Sequence, residues 1–343
     1  MSYSCKTIHV SLIAIPEAVI STLSGIYDTL NFVPRVMTGM HVAPSAPVFH
    51  IDIVGKTQGD VTLASGLSLQ AHRGIKEITQ TDIVIVPAVL VDSSEWQRGR
   101  YPELVMWLQN MHGKGALLCS ACSGIFLLAE TGLFDSVETT VHWNYARAFQ
   151  KSFPAVPTNP ERVLVVAGRY EELVTSGASA SWHDLVLYLI TRYVAPTAAQ
   201  AAAKFFALQW HKDGLAPYVV FEAPTDHDDS IIANAQAWLA THFSVGNPVA
   251  EMIKRSGVAE RSFKRHFTNA TGYSPIAYVQ RLRIEEAKRH LERTDMAVEE
   301  VSWQVGYEDP AFFRRLFKRI TGITPASYRR KFQVPDYKTD GVA

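Results

Sequence analysis

The sequence predicts two domains of different class, an α/β domain built on a parallel sheet followed by an all-α domain. Three observations predict this. β-branched runs alternate with helical stretches in the first half, everything from Ser230 onward is helical in pattern, and that helical part contains an internal repeat. A chain of 343 residues is also too long for one ordinary core.

In the first half the predicted strands are Ile8–Ile15, Val48–Gly55, Asp82–Ala88, Ala116–Ser120 and Val163–Gly168. Short apolar strands of this kind read as buried on both faces, which is the habit of parallel sheets covered by helices. Helical stretches such as YPELVMWLQNMHG and GIFLLAETG lie between them, and a helix from about Ser181 to Tyr193 closes the domain. Thr197–Lys212 reads as a further helix, stopped at Asp213-Gly214. LAPYVVFEAPTDHDD, with two prolines and four acids, reads as a connector. The expected organisation is therefore a domain over 1–195, a helix and linker over 196–229, a helical domain over 230–333 and a tail over 334–343.

The repeat appears when the sequence is slid against itself. Phe263-x-Arg265-x-Phe267 recurs fifty residues later as Phe313-x-Arg315-x-Phe317. At the same offset Thr271-Gly272 matches Thr321-Gly322, Ser274-Pro275 matches Thr324-Pro325, and Tyr278 matches Tyr328. Each copy reads as helix, tight turn, helix. The first comprises Pro248–Arg255, a turn at Ser256-Gly257-Val258, and Ala259–Asn269; the second comprises Val298–Gln304, a turn at Gly306, and Pro310–Ile320. Proline suits a helix start, where its missing N–H costs nothing, and glycine suits the left-handed turn.

Phe263 and Phe267 are four apart, as are Phe313 and Phe317, so each pair forms a buried stripe. Arg261, Lys264, Arg265 and Thr268 then face outward on the first of these second helices, and Ala311, Arg314, Arg315 and Lys318 on the other. Arg contacts guanine bidentately, and Arg and Lys both neutralise phosphates. Between the units Pro275–Arg293 predicts a helix about 28 Å long. That length separates two recognition helices by roughly one DNA turn, ~34 Å, and lets both enter successive major grooves. A Phe stripe with Arg between its members is by itself an ordinary amphipathic helix. Duplication, glycine turns and charge together set this one apart.

The charge is uneven. Pro248–Gln333 holds 17 Lys+Arg against 10 Asp+Glu, a net +7, which leaves 16 against 23, or −7, for the rest. A basic module joined to an acidic one fits a nucleic-acid reader joined to a regulatory domain. No stretch approaches the ~18 apolar residues of a membrane helix. The amino-terminal MSYSCKTIHVSLIAI reads as a first core strand rather than a secretory signal. Cys5, Cys119 and Cys122 are too few for a disulfide framework, so the expected location is the reducing cytoplasm, away from membranes.

The second half, ~230–333, resembles the AraC/XylS DNA-binding domain throughout, and SWQVGYEDPAFFRRLFKRITGITPASYRRKF follows that family's carboxyl-terminal signature. The resemblance implies a bacterial transcription regulator, mostly an activator, that binds double-stranded promoter DNA and works with RNA polymerase.

In the first half the informative stretch is ALLCSACSGIFLLAETG. A strand runs into Cys122, with Ser120 before it and Gly124 after it, and a helix follows at once. That is the layout of a nucleophile elbow, and a cysteine there is expected to feel the helix start and favour thiolate. The bland alternative is a buried cysteine acting as a small hydrophobe. Residues 6–195 resemble the PfpI-like branch of the class I glutamine-amidotransferase superfamily, whose fold is a flavodoxin-like parallel sheet. Fusion of such a domain to an AraC-type tail is the GlxA-like regulator architecture. The resemblance implies a homodimer paired through this domain, and an effector among small nitrogen compounds such as betaines, amines or amino acids. Val141-His142-Trp143 matches a His-Trp pair that follows the elbow, and Thr175–Asp184 matches a Gly-rich loop entering a helix.

The departures point away from catalysis. PfpI-like peptidases carry His directly after the nucleophile, where this chain has Ser123. The half lacks the late His-x-Glu pair of amidotransferases, and Glu17 comes immediately after the first strand rather than within the helix that follows. His142 is the one plausible partner for Cys122. The expectation is therefore a retired active site that binds an effector through Cys122, Ser123, His142, Trp143 and Trp182, with no cofactor. Two rivals stay open: an amidase or peptidase carrying a DNA-binding tail, and a thiol redox regulator using Cys119 and Cys122. Twelve His without paired-ligand spacing suggest no metal.

Overall fold

The computed structural model describes residues 7–39, 48–91 and 96–335. Cys5 and all but the first two residues of the 334–343 tail lie outside these. The chain divides into two compact units, 1–215 and 216–343.

The first unit is built on a seven-stranded sheet. Its strands are β1 (Thr7–Ile13), β2 (Val48–Gly55), β5 (Arg73–Gly74), β6 (Ile83–Val86), β7 (Leu117–Ala121), β8 (Leu164–Ala167) and β9 (Leu173–Ser176), in the order β5-β2-β1-β6-β7-β9-β8. A hairpin of β3 (Gly59–Thr62) and β4 (Ser68–Ala71) stands apart from it. All neighbours in the large sheet are parallel except β8, which returns antiparallel to β9 with Val165 opposite Thr175. Every residue of β6 and β7 is buried, as expected of strands covered on both faces.

The helices of this unit are α1 (Ile20–Gly39), α2 (Pro102–Gly113), α3 (Ile125–Ala129), α4 (Ala146–Ser152), α5 (Trp182–Tyr193) and α6 (Pro196–Phe205). α1, α5 and α6 pack together, and α2 packs with α3. The stretch that the sequence presents as a Gly-rich loop into a helix begins as the end of β9, with Thr175 paired to Ser120. β3, β4 and β5 are short or polar at alternate positions and carry no apolar run to announce them.

The second unit is all helical: α7 (Ser230–His242), α8 (Pro248–Ser256), α9 (Glu260–Thr271), α10 (Pro275–Arg293), α11 (Val298–Gln304), α12 (Pro310–Thr321) and α13 (Pro325–Phe332). It has two small cores, one around Phe263, Phe267 and Tyr278, the other around Phe313, Phe317 and Tyr328. The region expected as helix and linker is divided between the units. α6 packs in the first unit. Residues from Ala216 belong to the second, where Phe221 lies edge-on to Tyr273 and Tyr278.

Candidate nucleic-acid interface and elbow site

The repeat in the sequence is a repeat in three dimensions. α9 and α12 both end on a left-handed glycine, Gly272 at φ 75° and Gly322 at φ 80°. In both, the last threonine turns its hydroxyl back on the helix: Thr271 Oγ1 donates to Phe267 O (2.6 Å), and Thr321 Oγ1 to Phe317 O (2.8 Å). Ser274 and Thr324 then cap the next helix by accepting from the backbone N–H of Ala277 and Ser327. Tyr278 packs edge-on to Phe267 at 5.2 Å and Tyr328 to Phe317 at 5.5 Å.

This packing decides what faces out. Phe263, Phe267, Phe313 and Phe317 are fully buried. Arg261, Lys264, Arg265 and Thr268 are exposed on α9, as are Ala311, Arg314, Arg315 and Lys318 on α12. Two of the cations already hold partners. Lys264 pairs with Glu260 one turn back, and Arg314 reaches Glu299 on α11. Exposed pairs of this kind are weak enough for a phosphate or base edge to displace. α10, nineteen residues long and hence about 28 Å, lies between the two readers in the chain.

A residue that periodicity did not single out joins the loop before α8 to the turn of the second repeat. Arg283 on α10 is 6% exposed. Its guanidinium donates to the carbonyls of Phe243 (2.7 Å), Val245 (2.7 Å) and Gly306 (2.8 Å), and it lies over the Tyr307 ring. The only signal in the sequence was one more Arg on an Arg-rich helix.

In the first unit the elbow is present in form. Cys122 follows β7 with φ 55°, a left-handed conformation strained for a side-chain-bearing residue. A Cβ at Gly124 would stand 2.4 Å from Val86 O and 2.5 Å from Pro87 O, so only glycine fits after the turn. The chemistry differs from expectation. Only one 3₁₀ turn and the five residues of α3 follow the cysteine, and burial pushes its thiol up, outweighing hydrogen bonds from Ser179 and Ser123. Thiolate is disfavoured there, not favoured. Cys119, wholly enclosed in β7, is likewise pushed up by burial, and both cysteines are free thiols.

The other expected elbow residues are occupied in different ways. The Ser123 hydroxyl donates to Val89 O (2.6 Å) and accepts from Val89 N (3.0 Å), so its proton is committed to holding the neighbouring loop. His142 Nδ1 accepts from the Asn144 backbone N–H (3.2 Å), its ring packs on Trp143 and Tyr145, and burial lowers its pKa. Ser179 Oγ lies 3.5 Å from Cys122 Sγ. The Trp182 ring lies where a Cβ on Gly25 would come within 2.6 Å, so this tryptophan fills a notch in α1. Trp143 is half-buried. Glu17 is held by the Tyr101 hydroxyl and by Arg100.

A cavity of about 540 Å³ opens at the same carboxyl edge of the sheet, beyond β1 and β2. Ala14, Ile15, Val61 and Leu104 give it an apolar lining. Its rim carries both charge signs, including Lys56 and Glu103, 3.7 Å apart. Ligands in open α/β sheets bind outside the carboxyl ends of the strands, and small-molecule sites span ~300–1,000 Å³.

Two tandem helix-turn-helix units with outward basic faces define a DNA-binding protein, here carrying an α/β domain with a strand–elbow–helix turn at Cys122. Comparison with known proteins agrees. The helix-turn-helix domain family matches residues 252–331 and the DJ-1/PfpI family matches 41–192. The HTH-type transcriptional regulator CdhR of Pseudomonas aeruginosa is 25% identical over 82% of this chain and 83% of its own. GlxA of Rhizobium meliloti is 24% identical over 65% and 68%, and GbdR of Pseudomonas aeruginosa 24% over 79% and 72%. A solved Vibrio parahaemolyticus protein described as a transcriptional regulator shares the fold, with TM-score 0.50 and 19% identity over 58% of this chain and 99% of that one. The chain thus joins a helix-turn-helix domain to a DJ-1/PfpI domain, and it is similar over most of its length to HTH-type transcriptional regulators, GlxA among them.

Proposed function

We propose that the protein is an effector-controlled, homodimeric activator that reads two successive major grooves per chain. The observation that carries this reading is the pair of exposed basic faces on α9 and α12, each backed by a buried Phe pair. Arg261, Lys264, Arg265 and Thr268 serve one half of the site; Ala311, Arg314, Arg315 and Lys318 serve the other. Selection of binding sites from random duplexes by the full chain, followed by footprinting, tests it. Two protected major grooves about one turn apart are expected. Equal affinity for all duplexes sinks it.

The first unit acts as sensor and dimer contact, and RNA polymerase is the downstream partner. Catalysis at Cys122 is disfavoured by its raised pKa and by the engagement of His142 and Glu17 elsewhere. The 540 Å³ cavity suits a small zwitterion better than the enclosed elbow does, since its rim carries both charge signs over an apolar lining. Amino acids and betaines are the first compounds to screen by thermal shift, because a ligand that binds only the folded state raises Tm. Val61→Trp should abolish the shift and leave DNA binding intact. A normal response in Val61→Trp, with loss in Cys122→Trp, would return the effector to the elbow.

A further inference from the structure

Directly after Trp182, three metal-ligating side chains of the first unit converge where α5 begins. His183 and Asp184 stand in the first turn of α5, and His211 lies in the segment after α6. His211 Nδ1 is 2.5 Å from Asp184 Oδ2, and the His211 backbone N–H donates to Asp184 Oδ1 at 3.1 Å. His183 Nδ1 is 3.8 Å from the same Asp184 Oδ2. The two imidazoles stack with centroids 5.1 Å apart. One ligand atom from each residue falls within 4.8 Å of the other two.

We propose that His183, Asp184 and His211 form a site for a divalent transition metal of the zinc class. The His183 Nδ1 atom is buried and has no hydrogen-bond partner. A nitrogen in that position is normally satisfied, and its loss of water is otherwise uncompensated. The three side chains are only 13%, 7% and 14% exposed. This enclosure sets the group apart from acidic clusters on an open surface. Two imidazoles and one carboxylate are a borderline-soft donor set that suits zinc, cobalt, nickel or iron, whereas calcium and magnesium want oxygen alone.

The spacing is close to what coordination requires. Zinc binds nitrogen and carboxylate oxygen at ~2.0–2.2 Å. Seating an ion needs the His211–Asp184 pair to open by a fraction of an ångström and His183 to close by a similar amount. Rotation about the side-chain bonds of His183 supplies that movement. Three protein ligands leave a fourth position for water or a small chelating molecule. The second cluster of this kind, His9, His50 and Asp52, is a weaker candidate, because the Arg73 guanidinium lies 3.7 Å from the same carboxylate. A bound ion would tie the last residues of the first unit to α5, four positions after the Ser179 that contacts Cys122.

The site is independent of the effector reading, and so is its test. Full-length protein stripped with chelator is titrated with zinc chloride and with cobalt chloride by calorimetry and visible absorption. One tight equivalent per chain is expected, with a cobalt d–d band typical of low coordination number. His183→Ala and His211→Ala should each weaken it by more than about 100-fold, beyond the 10–100-fold that outer-shell changes cost. X-ray absorption of the zinc-loaded wild type requires no variant, and should show two imidazoles among nitrogen and oxygen donors only. Absence of a tight equivalent, retention of it in the His183→Ala/His211→Ala double variant, or sulfur at the metal overturns the proposal.

Discussion

Arg283 and Gly306 form the hinge-pin of the DNA-reading unit: a buried guanidinium donates to the carbonyl oxygen of the turn glycine at 2.8 Å, from a helix twenty-three positions earlier. The same side chain holds Phe243 and Val245, and Gly306 has φ 89° with Ser244 O only 2.3 Å from where a Cβ would sit. The loop after α7 is thereby clamped against the turn of the second helix-turn-helix unit.

Arg283→Met should therefore cost about 3 kcal/mol, since it removes charge-assisted bonds and leaves three carbonyls poorly satisfied. Gly306→Ala should fail similarly through steric clash. Denaturant unfolding measures both. A loss below about 0.5 kcal/mol for Arg283→Met would mean water replaces the guanidinium freely.

Arg265→Ala should weaken binding to the selected duplex by ~1–3 kcal/mol, about 5–150-fold, and relax sequence preference in one half of the site. Arg315→Ala should do the same in the other half. Gel-shift titrations against singly mutated duplexes read this out. If both variants lose affinity equally for every duplex, these residues contact phosphates alone.

Native Cys119 and Cys122 should alkylate far more slowly with iodoacetamide at neutral pH than a free cysteine does, because burial raises both thiols. Cys122→Ser should keep the fold and DNA affinity. Peptide-level mass spectrometry follows the modification. Rapid labelling of Cys122, or a Cys119–Cys122 disulfide under mild peroxide, would revive the redox alternative.

Asp52 offers a pH test. Burial alone would raise its carboxyl, but the hydrogen bond from His9 and the charges of His9, His50 and Arg73 hold it below its ordinary 3.8. The folded value is depressed, so this stability is complete above about 3.8 and drains away as pH falls through the folded pKa. Asp52→Asn should flatten the acid limb of a stability profile below pH ~4 while lowering stability at neutrality. An unchanged acid limb would show that the His9–Asp52 bond at 2.9 Å carries no net weight.

The helical unit was legible because its signals are local. Glycine caps and Phe stripes act within a turn or two of the chain, the fifty-residue offset displays each of them twice, and Phe263, Phe267, Gly272 and their counterparts sit where the pattern put them. The strands β1, β2, β6 and β7 were legible for the same reason, as apolar runs. β9 hid inside a polar, glycine-bearing stretch, and β3 and β4 expose alternate residues without a strong apolar face. At the elbow the backbone shape followed from Cys122 and Gly124, but side-chain commitments did not. Nothing local tells that Ser123 will bond Val89 or that Trp182 will fill the space above Gly25. His183 and His211 meet across twenty-eight residues of chain, beyond any ligand-spacing rule.

Lys288 is 4% exposed, with its ammonium bonded to Val219 O at 2.7 Å and to Glu285 Oε1 at 2.7 Å. Gln236 reaches back in the same way to Pro224 O. The stretch from Ala216 to Pro224 thus behaves as a strap that the reader wears, rather than as slack between modules. A transplant of DNA specificity between related regulators has to carry this strap along. A swap cut at Ser230 would strand a buried cation whose backbone acceptor had been supplied by another protein's sequence.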